Sequence, residues 1–151
     1  MSQAPTSRRR FDLEDGDLSL LKGKRIAVLG YGNQGHAHAL NLRDSGMEVV
    51  VGLRKESAHA RAAREAGFEV EDFASAARGA FLVMMLLPDE LHAEIYDKHL
   101  RKVMDSAAYL AFSHGFAVAF DLLELEKSRR VLLVAPKGQG HALRASFVNG
   151  G

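Results

Sequence analysis

Short apolar runs punctuate this chain, and each is followed by a longer segment mixing apolar, small and charged residues. Ile26-Ala27-Val28-Leu29, Val49-Val50-Val51 and the runs at 81–86, 109–112 and 131–135 are the clearest. Unbroken aliphatic runs of this kind suit strands buried on both faces of a sheet. They predict strands over 25–29, 48–52, 81–86, 109–112 and 131–135, with a shorter one over 68–70. The segments between them predict helices over 34–45, 58–66, 73–78 and 90–104, and a helical turn or two over 118–125. Ala37, Leu40 and Asn41 are expected to face the sheet. Gly46 and Gly67 are placed to end the first two helices. Within 90–104, Leu91, Ile95, Leu100 and Val103 follow a looser spacing than an ideal amphipathic series. Residues 18–21 are expected to pack under the first strand, and Lys22-Gly23-Lys24 to turn into it. Strands alternating with helices imply an α/β fold, with a mostly parallel sheet and helices on both faces.

Composition narrows the class. A length of 151 residues points to one domain, and 47% apolar residues suffice for its core. The charged fraction is 26% and the formal net charge +1, without the basic excess of a nucleic-acid-binding surface. There is no cysteine, hence no disulfide, thiolate metal site or cysteine nucleophile, which is compatible with a cytoplasmic setting. The longest apolar run, 80–87, is too short to span a bilayer. Ser7-Arg8-Arg9-Arg10-Phe11 has the outline of a twin-arginine export signal, but acidic residues follow where such a signal needs an apolar stretch. Residues 1–10 therefore read as a disordered basic tail and 11–151 as the folded domain. The acids between Asp12 and Asp17 read as a solvated lead-in rather than a metal site.

The candidate chemistry begins at Gly30-Tyr31-Gly32-Asn33-Gln34-Gly35. A strand precedes this glycine loop and a helix follows it, which is the setting in which such a loop cradles a dinucleotide's diphosphate. That makes the fold a Rossmann-type three-layer domain. At the tip of the second strand the chain reads Gly52-Leu53-Arg54-Lys55. An acid there would favour NAD; Arg54, with Ser57 and His59, instead suits the 2′-phosphate of NADP. The competing reading of Arg54 and Lys55 is an ordinary charged loop, and Glu56 weighs against NADP. Ligands in such sheets sit at the carboxyl ends of the strands. Pro88-Asp89-Glu90, His114 and Lys137 all fall there. His114 is placed to exchange a proton beside a nicotinamide; the plainer alternative is a histidine satisfied by backbone. Asp89 and Glu90 read as a helix's first turn beside the cofactor, with Asp89 capping it. His36 and His38 share no helix face, and His92 and His99 share one but lack a third partner, so no metal site is expected from them.

Taken together, these motifs identify a family. The chain resembles the cofactor-binding domain of the ketol-acid reductoisomerases. The resemblance rests on Asp17-Leu18-Ser19-Leu20-Leu21-Lys22-Gly23-Lys24, the loop from Gly30 to His36, Ala39-Leu40-Asn41-Leu42-Arg43-Asp44-Ser45-Gly46, Leu86-Leu87-Pro88-Asp89-Glu90, His114-Gly115-Phe116 and Ala135-Pro136-Lys137-Gly138. It implies an enzyme of valine and isoleucine synthesis that converts 2-acetohydroxy acids to 2,3-dihydroxy acids with NADPH and magnesium. It further implies that Tyr31, Gly32, Asn33 and Gln34 cradle the diphosphate, and that Arg54, Ser57 and His59 surround the 2′-phosphate. Asp89, Glu90, Leu91, His92 and Gly140 would line the cofactor site, with His114 as the catalytic histidine and Lys137 as an active-site lysine. Asn33 and His59 stand where the family often has serine, and Ala117 where it usually has asparagine. The family's helical domain, which carries its Mg2+ ligands, is absent from this sequence. The expectations are an NADP(H)-binding chain inactive alone and apolar surface exposed near the sixth strand. A non-catalytic NADP-binding module and a small stand-alone NADPH-dependent reductase are the alternatives.

Overall fold

The structure, a computed structural model, describes residues 13–150. The expected basic tail over residues 1–10 lies outside the described residues. The elements are β1 (Arg25–Leu29), α1 (Asn33–Asp44), β2 (Glu48–Gly52), α2 (His59–Glu65), β3 (Glu69–Glu71), α3 (Phe73–Ala77), β4 (Leu82–Met85), α4 (His92–Ile95), β5 (Tyr109–Phe112), α5 (Phe116–Ala119), β6 (Arg130–Leu133) and α6 (Gly140–Val148). The six strands form one sheet in the order β3-β2-β1-β4-β5-β6, and every pairing is parallel. The order runs outward in both directions from β1, so the carboxyl ends of β1 and β4 flank the topological switch point.

Alternation along the strands explains the three layers. Ala27, Leu29, Val83 and Met85 point to one face, where Phe73, Ala76, Ile95, Tyr96 and Leu100 close over them. Ile26, Val28, Val51 and Met84 point to the other, covered by Ala39, Ala60, Ala63 and Phe68. Burying each large aliphatic side chain contributes about 1.5–3 kcal/mol, so the central strands supply much of the core's stabilisation. Gly46 and Gly67 end α1 and α2 with φ of 81° and 88°.

The segment expected as one helix over 90–104 changes pitch twice. A 3-10 turn at Asp89–Leu91 leads into α4, which continues as a π segment over Tyr96–Leu100. The Arg101 N–H donates to the Tyr96 carbonyl at 2.8 Å, five residues back. This accounts for the irregular apolar spacing: Ile95, Tyr96 and Leu100 all sit in the same core cluster. The Tyr96 hydroxyl donates to Glu126, which also holds Arg101 at 2.9 Å.

Four expectations require correction. Residues 18–21 form a 3-10 turn, but Leu18 and Leu20 are 62% and 69% exposed, and only Leu21 packs against the core. Asn41 faces α6, not the sheet, and accepts a hydrogen bond from Arg144 at 2.9 Å. Helix over 118–125 is confined to the single turn of α5, after which Asp121 takes a positive φ of 51°. The stretch after the sixth strand, for which the apolar pattern predicts no element, forms helix α6. It lies against α1, joined by the Arg144 contacts to Asn41 and Asp44. As expected, the sixth strand is exposed; Val131, Leu132, Leu133 and Val134 range from 39% to 61%.

Candidate functional site

The glycine loop takes the shape its sequence demands. Gly30 has a φ of 101°, and a Cβ there would stand 2.5 Å from the Leu86 carbonyl oxygen. A Cβ on Gly35 would stand 2.2 Å from the Gly30 carbonyl oxygen, so only glycine lets α1 start this close to β1. Gly32 differs: nothing lies within 4 Å of its would-be Cβ, and the loop is open on that side. Gly32 is also the N-cap of α1, and no side chain caps the helix. Its first N–H groups and the positive end of its dipole therefore face the opening, as an anion site requires.

Around that opening is a cleft of about 240 Å³, bounded by Tyr31, Gly32, Arg54, Ser57, His59 and Leu91 among others. It joins a hollow of about 290 Å³ walled by Leu53, Phe73, Leu87, Leu91 and Ile95, a slot suited to a flat aromatic base. Arg54, Lys55, Ser57 and His59 gather on one tight turn, in which Ser57 N–H donates to the Arg54 carbonyl at 2.9 Å and Ser57 Oγ accepts from His59 N–H at 3.3 Å. Glu56 on the same turn is exposed. On the facing wall, Lys98 at 2.8 Å and, after it, Arg54 hold the Glu94 carboxyl below its ordinary range. Another hollow, of about 410 Å³, opens at the amino ends of the strands by Lys24, Phe81, Asp105 and Arg130. Its charges are mixed, and it lies away from the strand ends where parallel sheets bind ligands.

The remaining site candidates fall in different places. Tyr31 is 4% exposed, with its ring edge-on to Phe68 at 5.8 Å and its hydroxyl pushed up by burial, so it offers the cleft its backbone. Gln34 Nε2 donates to the Gly138 carbonyl at 3.0 Å and ties down the loop before α6. Gly140 packs against the Asn33 backbone, where a Cβ would be 1.7 Å from the Asn33 oxygen; it sits behind the loop and brings α6 to it. Glu90 is exposed, while His92 is 1% exposed, with Nε2 2.9 Å from the Leu87 carbonyl oxygen and its ring against Phe112. Lys137 is exposed on the loop after β6.

Asp89 does not cap the helix, as the sequence suggested. No side chain caps that turn, and the Asp89 carboxylate instead reaches His114, with Oδ2 3.0 Å from Nδ1. His114 itself is 67% exposed at the carboxyl end of β5 and stacks on Phe116. Sequence reasoning missed this pair and the apolar slot; the recurring Leu53, Leu87 and Leu91 beyond strand ends were the available signal. Among the described residues, no group of three or more His, Asp or Glu is placed to hold a metal ion. No helix among them is long and apolar enough to cross a membrane.

His38 of α1 is buried away from this cleft, and burial pushes its imidazole below the ordinary 6.5. The unfolded chain therefore takes up this proton first, and stability is lost as pH falls from 6.5 toward the depressed native value. Urea unfolding from pH 7.5 to 5 should show a steeper decline for the wild type than for His38→Gln; parallel curves would contradict it.

A parallel sheet in this strand order, a glycine loop before an uncapped helix and a slotted cleft at the switch point are the features of a Rossmann-type dinucleotide-binding domain. Comparison with known proteins agrees. The sequence model of the acetohydroxy acid isomeroreductase NADPH-binding domain matches residues 20–151. An NADH-preferring ketol-acid reductoisomerase from an uncultured archean is 38% identical over 91% of the chain, with a TM-score of 0.85; the chain spans 43% of that protein's length. More distant structures share the fold. A semialdehyde dehydrogenase NAD-binding protein from Cupriavidus necator is 20% identical, with the match covering 72% of this chain and 40% of that one at a TM-score of 0.63. A dipicolinate synthase subunit from Bacillus halodurans is 22% identical, with coverage of 85% and 46% and a TM-score of 0.57. The chain belongs to the acetohydroxy acid isomeroreductase, or ketol-acid reductoisomerase, family and comprises its nucleotide-binding domain.

Proposed function

We propose that this chain binds NADPH as the reductant-holding domain of a cytoplasmic ketol-acid reductoisomerase in valine and isoleucine synthesis. The observation that carries the reading is the uncapped α1 N-terminus facing the Arg54–Ser57 turn across one cleft. Backbone N–H groups of Gly32, Asn33 and Gln34 would hold the diphosphate, and the Leu53–Phe73–Leu91 slot the adenine. Arg54 and Ser57 would take the 2′-phosphate, with His59 beside them. His114, exposed at the carboxyl end of β5, would hold a proton next to the nicotinamide, which supplies hydride when bound. The archaeal relative's NADH preference is the competing cofactor assignment. Arg54 with no acid at the strand tip favours NADPH here. The residues present do not fit the magnesium ions of the family, since the described residues offer no carboxylate cluster.

The test is direct. Fluorescence titration of the chain should show NADPH binding that saturates and is competed by NADP. With Mg2+ and 2-acetolactate added, NADPH absorbance should stay constant. Sustained oxidation would show that this domain suffices for the reaction. Within an active full-length context, His114→Gln should abolish turnover and change NADPH affinity less than about threefold, the scale of a lost weak contact. Equal loss of both would make His114 structural.

A further inference from the structure

Two histidines converge on one carboxylate. Asp89 Oδ2 lies 3.0 Å from His114 Nδ1, and Asp89 Oδ1 lies 3.6 Å from His92 Nδ1. Their surroundings differ. His92 is buried, with Nε2 2.9 Å from the Leu87 carbonyl oxygen. A carbonyl only accepts, so that nitrogen carries a hydrogen. The buried Nδ1 of His92 has no hydrogen-bond partner and looks toward Asp89. His114 is exposed, so little but Asp89 and the Phe116 ring restrains its imidazole. An ionised carboxylate is an acceptor alone, so at 3.0 Å it favours the tautomer that carries hydrogen on the facing Nδ1 of His114.

We propose that Asp89 is a positioning residue for His114. Its carboxylate fixes the ring in the Nδ1–H tautomer and leaves Nε2 as a bare acceptor on an exposed ring at the carboxyl end of β5. His92 Nδ1, bare of hydrogen when Nε2 donates to Leu87, gives the other carboxylate oxygen no donor, so His114 is the imidazole placed to donate to Asp89, and the 3-10 turn after Pro88 sets the carboxylate between the two rings. A free imidazole favours the opposite tautomer, with hydrogen on Nε2. An orienting acid behind a working histidine is a recurrent device, because the tautomer decides which nitrogen can accept a proton. The use made of the bared Nε2 rests on the reading of His114 given above. The tautomer itself belongs to the chain without any ligand.

The experiment uses the 151-residue chain labelled with 15N-histidine, recorded by long-range 1H–15N correlation at a pH where imidazoles are neutral. His114→Gln assigns the signal by its loss. Wild-type His114 should be mainly the Nδ1–H form. Asp89→Ala should invert the ratio to mainly Nε2–H, and Asp89→Glu should restore it. Backbone amide spectra verify that each variant is folded; should Asp89→Ala not fold, the wild-type tautomer decides alone. A wild-type His114 that is mainly Nε2–H, or a ratio unmoved in folded Asp89→Ala, overturns the proposal. An acid with a merely structural role would leave that ratio alone. NADPH titration of the same samples reports separately on the cofactor reading, so the two can fail independently.

Discussion

Gly30→Ala is expected to lower the unfolding free energy by about 3 kcal/mol or more and to remove dinucleotide binding with it. Two costs add. At a φ of 101° an alanine is held in a region its Cβ disfavours, a strain of about 1–3 kcal/mol. The new Cβ would also stand 2.5 Å from the Leu86 carbonyl oxygen and 2.9 Å from its carbon. That backbone cannot retreat freely, because Leu86 N–H donates to the Leu29 carbonyl at 2.9 Å and keeps β4 beside β1. Forcing the overlap adds roughly 1–3 kcal/mol, a large part of the 5–15 kcal/mol that holds a domain folded. Gly32→Ala is the control. Its Cβ meets open space at an ordinary negative φ, so its urea midpoint should stay near wild type while NADPH affinity falls. Urea unfolding of the two variants distinguishes them, and equal midpoints would refute this conformation of the loop.

The second large effect is on cofactor choice. Arg54→Gln should weaken NADPH binding by roughly 10- to 100-fold, as expected for losing a charge-assisted pair worth about 1.5–3 kcal/mol. NADH lacks the 2′-phosphate, so its affinity should change less than about threefold. Calorimetric titration of both cofactors against both proteins measures the ratio directly. A parallel fall for the two would place Arg54 against the adenine or the diphosphate. An unchanged NADPH affinity would return the turn to an ordinary charged loop. Glu94 on the facing wall is paired with Lys98 at 2.8 Å, which leaves the Arg54 guanidinium free for the phosphate.

Much of the architecture is legible because the central strands are buried on both sides. Continuous apolar runs leave few alternative registers, and β1, β2 and β5 begin and end where the pattern places them. The glycine loop is legible for a related reason: Gly30 and Gly35 answer contacts to elements already recognised nearby. What escaped depends on distant partners. Helix α6 is settled by Gly140 meeting Asn33 and by Arg144 reaching Asn41 and Asp44, about a hundred residues earlier. The Asp89–His114 pair joins the ends of two neighbouring strands, and only the sheet order makes them adjacent. Residues 18–21 misled because their leucines satisfy a packing pattern that the short 3-10 turn turns outward.

The π segment at Tyr96–Leu100 has a geometric consequence for the cleft. Leu100 follows Ile95 by five residues, roughly 140° around a regular α-helix, yet both lie in one cluster. The wider turn absorbs that angle and works as a phase shifter within a single rod. Upstream of it, Leu91 and Glu94 line the hollow beside Phe73; at its last residue, Leu100 is back in the core cluster with Ile95 and Tyr96. The wall of the hollow and the contact with the sheet are thus set in phase within one short rod.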